Sequence, residues 1–223
     1  MDNFLKSIDK EEFRNYIDNS VSKAQACQRN WDLSKFVNEK DLESIISAGM
    51  NCPSKQNQDF YNLHVITNRD IIQKLYESSI IPNGRRKNPQ LLANAVILFE
   101  SKEVETPRSD EQKKLALAKK GIISLTQEDL DDCEKIVYRD TNQSLGIAAG
   151  FINITSAMLG YETGFCACFD DETVKSLLDI RGKPLLAIGI GIKDANKDRT
   201  EDHITGELIS KYKKGPIGLS LHK

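Results

Sequence analysis

Basic and amide side chains occur together at two points of the sequence where an anion could bind. Gln28-Arg29-Asn30-Trp31-Asp32 follows an apolar helical pattern. Arginine presents a planar fork of donors that matches a phosphate, and amides can hydrogen-bond the edge of a heterocycle. Lys197 and Arg199 follow an apolar strand pattern, and residues two apart in extended backbone point to the same side. Both groups suit a phosphate; a solvated loop and an exposed charge cluster are the alternative interpretations.

A third polar group, Cys52-Pro53-Ser54-Lys55-Gln56-Asn57-Gln58, places a proline, a hydroxyl and amides just before a strand pattern. A plain polar turn is its alternative interpretation. Gly189 and Gly191 resemble part of a dinucleotide-binding fingerprint, but the third glycine and the following helix pattern are missing. These glycines therefore predict close packing beside a strand.

Cys166 and Cys168 could in principle bind a metal ion. No second cysteine pair or histidine cluster completes a four-ligand set, because the three histidines are scattered. Two small residues in a buried strand are the favoured interpretation. The five cysteines lack the spacing of a disulfide framework, which predicts reduced thiols in a cytoplasmic protein.

The composition narrows the class of protein. The 223 residues carry 31 basic and 33 acidic side chains, and a nucleic-acid-binding protein would usually have a basic excess. No apolar run reaches the roughly 18 residues of a membrane helix. The acidic N-terminus does not resemble a signal peptide. We therefore expect a cytoplasmic protein that binds neither nucleic acid nor membrane.

Apolar periodicity predicts the elements that must position these polar groups. It indicates helices over 11–26, 39–50 (with Asn38 as N-cap), 69–77 and 171–179, one or two helices over 127–159, and strands over 62–67, 95–99, 165–169 and 185–192. The later half of 127–159 is apolar nearly all round and predicts a buried central helix, capped by Gly160. The charged segment 101–126 predicts an exposed helix or a flexible flap. Strands separated by helices favour an α+β or α/β sandwich.

Over roughly residues 25–200, the order and spacing of these groups resemble the FMN-dependent nitroreductase family. Gln28 to Asp32 stand in the place of that family's arginine-rich motif. The other similar elements are Pro53, Ser54 and Asn57 of a P-S-x-x-N motif, the strand Leu63 to Ile66, Asn88 before a buried strand, the small-residue central helix from Ser144 to Gly160, the L-G-Y-x-T-G run from Leu159 to Gly164, and the basic pair Lys197 and Arg199.

The resemblance implies a single α+β domain over 1–223, with a mixed or antiparallel sheet flanked by helices, in an intertwined homodimer. The C-terminal arm 212–223 would reach the partner subunit. FMN would be held at the interface by these residues: Arg29, Asn30, Asp32, Asn88, Ser144, Phe165, Cys166, Ala167, Lys197 and Arg199, with Pro53, Ser54 and Asn57 from the partner. NADH or NADPH would reduce the flavin, which would then reduce a nitroaromatic, a quinone or a similar acceptor in ping-pong fashion.

Three departures from the family pattern bear on this chemistry. Asp32 replaces a usual basic residue, Asp59-Phe60-Tyr61 replaces Q-P-W, and Phe165-Cys166-Ala167-Cys168 replaces the P-x-E-G run near the flavin N5. The alternative functions are a different flavin reaction, such as flavin fragmentation or dehalogenation, a non-enzymatic flavin-binding role, and the same fold without flavin.

Overall fold

The computed structural model describes residues 8–79, 88–197 and 217–220. Arg199 and most of the predicted C-terminal arm lie outside the described residues. Within the described part of the chain, no helix combines the length and the apolar character needed to cross a membrane.

Six α-helices occur in the described residues, and a side chain caps the N-terminus of each. They are α1 (Lys10–Ala24), α2 (Glu39–Met50), α3 (Arg69–Glu77), α4 (Asp110–Lys119), α5 (Gln127–Met158) and α6 (Asp171–Leu178). Asn38 caps α2 as predicted, by accepting hydrogen bonds from the backbone of Lys40 and Asp41. At the other end of α5, Gly160 has a φ of 93°, a conformation in which glycine is not strained.

Four antiparallel strands form one sheet in the order β1-β2-β4-β3. They are β1 (Tyr61–Ile66), β2 (Ala95–Ser101), β3 (Glu162–Cys166) and β4 (Pro184–Gly191). Ile66, Ala95, Glu162 and Gly191 lie at one end of the sheet, called here the Gly191 end. Tyr61, Ser101 and Pro184 lie at the opposite, Ser101 end.

Alternate residues of β2 face two separate cores, because side chains along a strand point to opposite sides. Ile97 and Phe99 pack with α2 and α5 in one core. Val96 and Leu98 pack with α3 and α6 in the other. The sheet is thus covered by helices on both faces, which explains why β2 is apolar at consecutive positions. This is the α+β sandwich that the sequence predicts.

The third strand and its two cysteines differ from the sequence prediction. The strand predicted at 165–169 instead spans Glu162–Cys166, because it pairs with β4 from Glu162–Gly191 to Cys166–Ala187. Cys168 is therefore exposed in the loop after the strand, and only Cys166 is buried.

Helix α5 is a single helix, but it is not buried all round. Ala148 and Ile152 face the core, whereas Ile147 and Phe151 are 40% and 43% exposed. On the neighbouring α1, the predicted apolar stripe is exposed too. We call these exposed residues the α1–α5 apolar surface: Phe13, Tyr16, Ile17, Val21, Ile147, Phe151 and Met158.

Candidate active site

Residues 27–32 run beside β3 and then beside the segment that follows β4. The backbone amide of Gln28 donates to the backbone carbonyl of Thr163 (2.7 Å), and the backbone amide of Asp194 donates to the backbone carbonyl of Asn30 (3.0 Å). An isolated bridge pairs Trp31 with Lys193. Arg29 and Asn30 thereby lie near the segment that carries Lys197, as the predicted shared anion site requires.

Gln28 fixes the backbone of the two residues that follow it. Its side chain is fully buried, and Oε1 accepts from the amides of Arg29 (2.8 Å) and Asn30 (2.9 Å). Its Nε2 donates to the carboxylate of Glu162. Sequence reasoning placed Gln28 in the polar cluster but assigned it no role, because nothing in the sequence shows that this amide is buried.

A short 3₁₀ turn, Pro89–Leu92, packs against β3 and β4 near the Gly191 end of the sheet. Trp31 Nε1 donates to the Pro89 carbonyl (2.8 Å). Asn88 is 3% exposed and its Nδ2 donates to Cys166 Sγ (2.8 Å). Asn88 Oδ1 and Gln90 Oε1 are buried and have no hydrogen-bond partner among the described residues. Two unused acceptors in one buried turn are unusual in a protein, and a ligand with N–H or O–H groups would satisfy them.

Two glycines let this turn approach the sheet. A Cβ at Gly189 would overlap the Gln90 carbonyl, and a Cβ at Gly164 would overlap the Gln28 carbonyl and lie 3.0 Å from the Gln90 Cβ. The close packing predicted for Gly189 is therefore confirmed. Gln90 itself was missed in the sequence, although the glycines on β3 and β4 were a signal that another segment packs there.

The Phe165-Cys166-Ala167 segment covers the end of β3 and the first residue of the loop that follows it. Phe165 is half-buried, and its amide donates to Cys27 Sγ (3.2 Å). The Cys166 side chain points into the core that contains α3 and α6, away from Phe165. Burial raises the pKa of the Cys166 thiol to about 12, so this thiol stays protonated at neutral pH. Ala167 is exposed.

Asp32 and Lys197 are more solvated than the other members of the group. The Asp32 carboxylate accepts from Ser34 Oγ (2.5 Å) and the Ser34 amide (3.0 Å), and these hydrogen bonds lower its pKa. The Asp32 carboxylate is thus hydrogen-bonded to a residue of its own turn. Lys197 is exposed, and its Nζ lies 3.9 Å from Asp194 Oδ2.

Pro53, Ser54, Asn57 and Ser144 lie together elsewhere, at the Ser101 end of the sheet. The Lys55 amide donates to Ser144 Oγ (3.3 Å), and Ser54 and Asn57 line a cavity of about 410 Å³ that also includes Tyr61. Arg108 Nη1 donates to the Gln56 carbonyl (2.6 Å), which ties the predicted flap to this turn. Part of that flap is the helix α4.

The predicted ligands therefore form two groups in one chain. The Arg29 group is at the Gly191 end, and the Ser54 group is at the Ser101 end. The strands between them have five to eight residues, and each residue adds about 3.3 Å, so the groups are roughly 20 Å apart. One chain does not bring both groups to one ligand.

Comparison with known proteins is consistent with this architecture. The sequence pattern of the nitroreductase family matches residues 23–192. A nitroreductase family protein of Clostridium novyi is 15% identical, with a TM-score of 0.60 over 83% of this chain and 90% of that chain. A proposed NAD(P)H:FMN oxidoreductase of Staphylococcus epidermidis is 17% identical, with a TM-score of 0.60 over 90% of this chain and 95% of that chain.

An enone reductase of gut-bacterial fatty acid metabolism shares the fold at 15% identity, with a TM-score of 0.56 over 79% of this chain and 90% of that chain. No curated protein sequence matches the chain. Identities this low show the fold alone, whereas the family pattern spans most of the sequence, from the end of α1 to the end of β4. This chain belongs to the nitroreductase family.

Proposed function

We propose that this chain is an FMN-dependent NAD(P)H oxidoreductase that reduces nitroaromatic, quinone or similar acceptors as a homodimer. The observation that carries the proposal is the chemistry at the Gly191 end of the sheet. Cationic side chains of Arg29 and Lys197 occur there beside two buried acceptor oxygens that have no partner among the described residues, on Asn88 and Gln90.

This set of donors and acceptors fits FMN. The phosphate is an anion, for which Arg29 and Lys197 supply positive charge, and Arg199 follows just beyond the described residues. The ribityl hydroxyls and the ring N–H can donate hydrogen bonds. Asn88 Oδ1 and Gln90 Oε1 accept none from the described residues and could accept these. Phe165, which is half-buried near the end of β3 and whose amide donates to Cys27 Sγ, would line one face of the ring, and the exposed Ala167 follows it.

When bound, FMN supplies hydride transfer between a nicotinamide and the acceptor, so the protein needs no nucleophile of its own. The chain's contribution is to bind and orient. The cations Arg29 and Lys197 would bind either the phosphate or the N1–C2=O edge of the ring, and a positive charge at that edge would favour the anionic reduced form. Gln28 holds the Arg29 and Asn30 amides in place, and Asn94 Nδ2 holds the Asp32 carbonyl (2.9 Å).

Two observations support the homodimer. Pro53, Ser54, Asn57 and Ser144 lie at the end of the sheet opposite to Arg29, so only a second copy could bring them over the same flavin. The α1–α5 apolar surface exposes several large side chains on two neighbouring helices, and such surfaces mark interfaces. We infer that this surface is covered by the partner subunit.

The five cysteines are unpaired thiols, which suits a reducing compartment. We therefore propose a cytoplasmic location. Fractionation of the source cells, followed by detection of the protein in the soluble cytoplasmic fraction, would test it; recovery outside the cytoplasm would contradict it.

The first experiment is a visible absorption spectrum of the protein purified without added cofactor, recorded before and after anaerobic addition of NADH. We expect flavin bands that bleach. Bands that resist both NADH and NADPH would indicate a flavin-binding protein with another role. A colourless protein that does not take up added FMN would refute the proposal. Product analysis of the reduced protein in air would reveal flavin fragmentation, and assay with halogenated aromatics would reveal dehalogenation.

A further inference from the structure

A second cavity, of about 730 Å³, lies at the Ser101 end of the sheet between α4, α5 and the loop before β4. Its walls are largely apolar and include Phe60, Leu115, Ala116 and Val137. Sites for small molecules have about this volume, roughly 300–1,000 Å³. The cavity contains none of the residues that we assign to FMN.

The charge at the rim of this cavity is positive. Four cations line it, namely Lys102, Lys119, Arg181 and Lys183, against two acids, Glu100 and Glu103. Lys102 pairs with Asp59, and Lys119 pairs with Glu103. The Arg181 guanidinium contacts no acid among the residues that the structure describes, and Lys183 Nζ is 4.0 Å from its nearest acid, Asp171. These two cations are left with little or no compensating charge.

Glu100 does not cancel that charge, because its carboxylate is already used. It accepts from His64 Nε2 (2.9 Å), Asn62 Nδ2 (3.0 Å) and the amide of Gly182 (2.6 Å). It also accepts from the Arg181 amide (3.1 Å). These hydrogen bonds fix the backbone of the loop, so Arg181 starts from a defined position at the rim.

The wall of the cavity also contains an unused donor. Gln112 of α4 is 5% exposed, and its Oε1 accepts from the amides of Arg108 (3.0 Å) and Ser109 (3.3 Å). Its Nε2 has no partner among the described residues. The cavity therefore combines apolar walls, an available cation and a buried donor, which together match an acceptor group on an apolar body.

We propose that this cavity binds a small organic carboxylate with an apolar body. The carboxylate is held by Arg181 at the rim, and the apolar body lies between α4 and α5. This site does not depend on FMN, because no residue of the Arg29 group lines it.

Isothermal titration calorimetry with the FMN-saturated protein tests the proposal, using 2-naphthoate as the probe and 2-naphthamide as its uncharged analogue. We expect 2-naphthoate to bind about tenfold more tightly than the amide, because a charge-assisted hydrogen bond is lost in the latter. Arg181→Gln should remove most of that difference. Ala116→Trp should abolish binding of both probes by filling the cavity.

Two matched controls lie on the same helix outside the cavity. Lys114→Gln removes a charge, and Leu117→Trp adds an indole at an exposed position; neither should change binding. Because Arg181 is exposed, Arg181→Gln keeps the test valid if Ala116→Trp does not fold. Equal affinity for the two probes, binding that survives in a folded Ala116→Trp variant, no binding of 2-naphthoate, or displacement of 2-naphthoate by FMN from the flavin-free protein would each overturn the proposal.

Discussion

Two buried polar side chains each hold a loop through several hydrogen bonds. Gln28 binds the amides of Arg29 and Asn30 and reaches Glu162, which couples the Arg29 group to β3. Glu100 performs the same task at the other end of the sheet, for residues 181 and 182. Buried polar groups are costly to leave unpaired, so the removal of either side chain affects more atoms than the side chain itself.

At Gln28, we expect Gln28→Leu to lower the free energy of unfolding by about 2–4 kcal/mol, since two partly buried backbone amides and one buried carboxylate lose a partner. FMN affinity should fall as well, because the Arg29 backbone is released. Urea unfolding and FMN titration measure the two effects. Gln25→Leu, at an exposed position just after α1, is the control. Stability equal to that of the control would contradict the role given to Gln28.

The environment of Glu100 leads to a prediction about how the free energy of unfolding depends on pH. Burial raises its pKa, but the hydrogen bonds from Asn62, Gly182 and His64 outweigh burial and hold the pKa at about 2, below its usual 4.5. A carboxyl with a lowered pKa in the folded state stabilises the protein above its unfolded pKa, and that stabilisation is lost as the pH falls through the folded value. Glu100→Gln should therefore cost about 2 kcal/mol near pH 7, and this difference from the wild type should shrink between pH 4.5 and 2.

Urea unfolding at three pH values across this range measures the difference. Glu172→Gln, which removes an exposed carboxylate from α6, should show almost none of it at any pH. A difference between Glu100→Gln and the wild type that does not change with pH would show that the carboxylate charge contributes nothing.

At the scale of the elements, the helices could be predicted well and the packing between segments could not. Local signals such as the Asn38 cap and the glycine after α5 placed the helix ends within a few residues. The start of β3 depends on its register with β4, which no local signal shows. The sequence likewise indicated the Arg29 and Ser54 groups, but not the contribution of Gln90, because the turn that contains it is placed by contacts with β3 and β4.

The packing of this turn on the sheet leads to a prediction at Gly189. A Cβ there would overlap the Gln90 backbone carbonyl and lie 2.8 Å from the Ala93 Cβ, and both residues are buried. We expect Gly189→Ala to lower the unfolding free energy by about 1–3 kcal/mol, the usual cost of overpacking. Thermal unfolding measures it. Gly146→Ala, on the exposed side of α5 where a Cβ also meets nothing within 4 Å, is the control and should not lower the unfolding free energy. A Gly189→Ala variant whose unfolding free energy equals that of the wild type would show that the turn can move away from the sheet.

At the scale of the whole molecule, the proposed function makes one chain an incomplete flavin site. Its two groups of candidate flavin ligands lie at opposite ends of the sheet, and the apolar surface of α1 and α5 faces solvent. Both features have the same explanation if two copies associate through these helices. Folding and flavin binding would then depend on protein concentration.

A charge placed in this surface tests the dimer. We expect Phe151→Glu to yield monomers by light scattering at micromolar concentration and to weaken FMN binding at least about tenfold, because an unpaired buried charge is costly at an interface. Ile122→Glu, at a 64% exposed position outside the surface, is the control and should leave both properties unchanged. A Phe151→Glu variant that remains dimeric and yellow would place the interface elsewhere.

Residues 28–32 pair with segments that are synthesised much later, and on the proposed function this limits when flavin could bind during synthesis. Gln28 meets Thr163, and Asn30 meets Asp194. A ribosome that has translated α1 to α5 has therefore made Arg29 but none of the strands against which it must lie. Contacts of such long range form late and slowly. The nascent chain must keep this segment without its partners in solution until β4 has emerged, so binding of the proposed flavin would follow translation of nearly the whole domain.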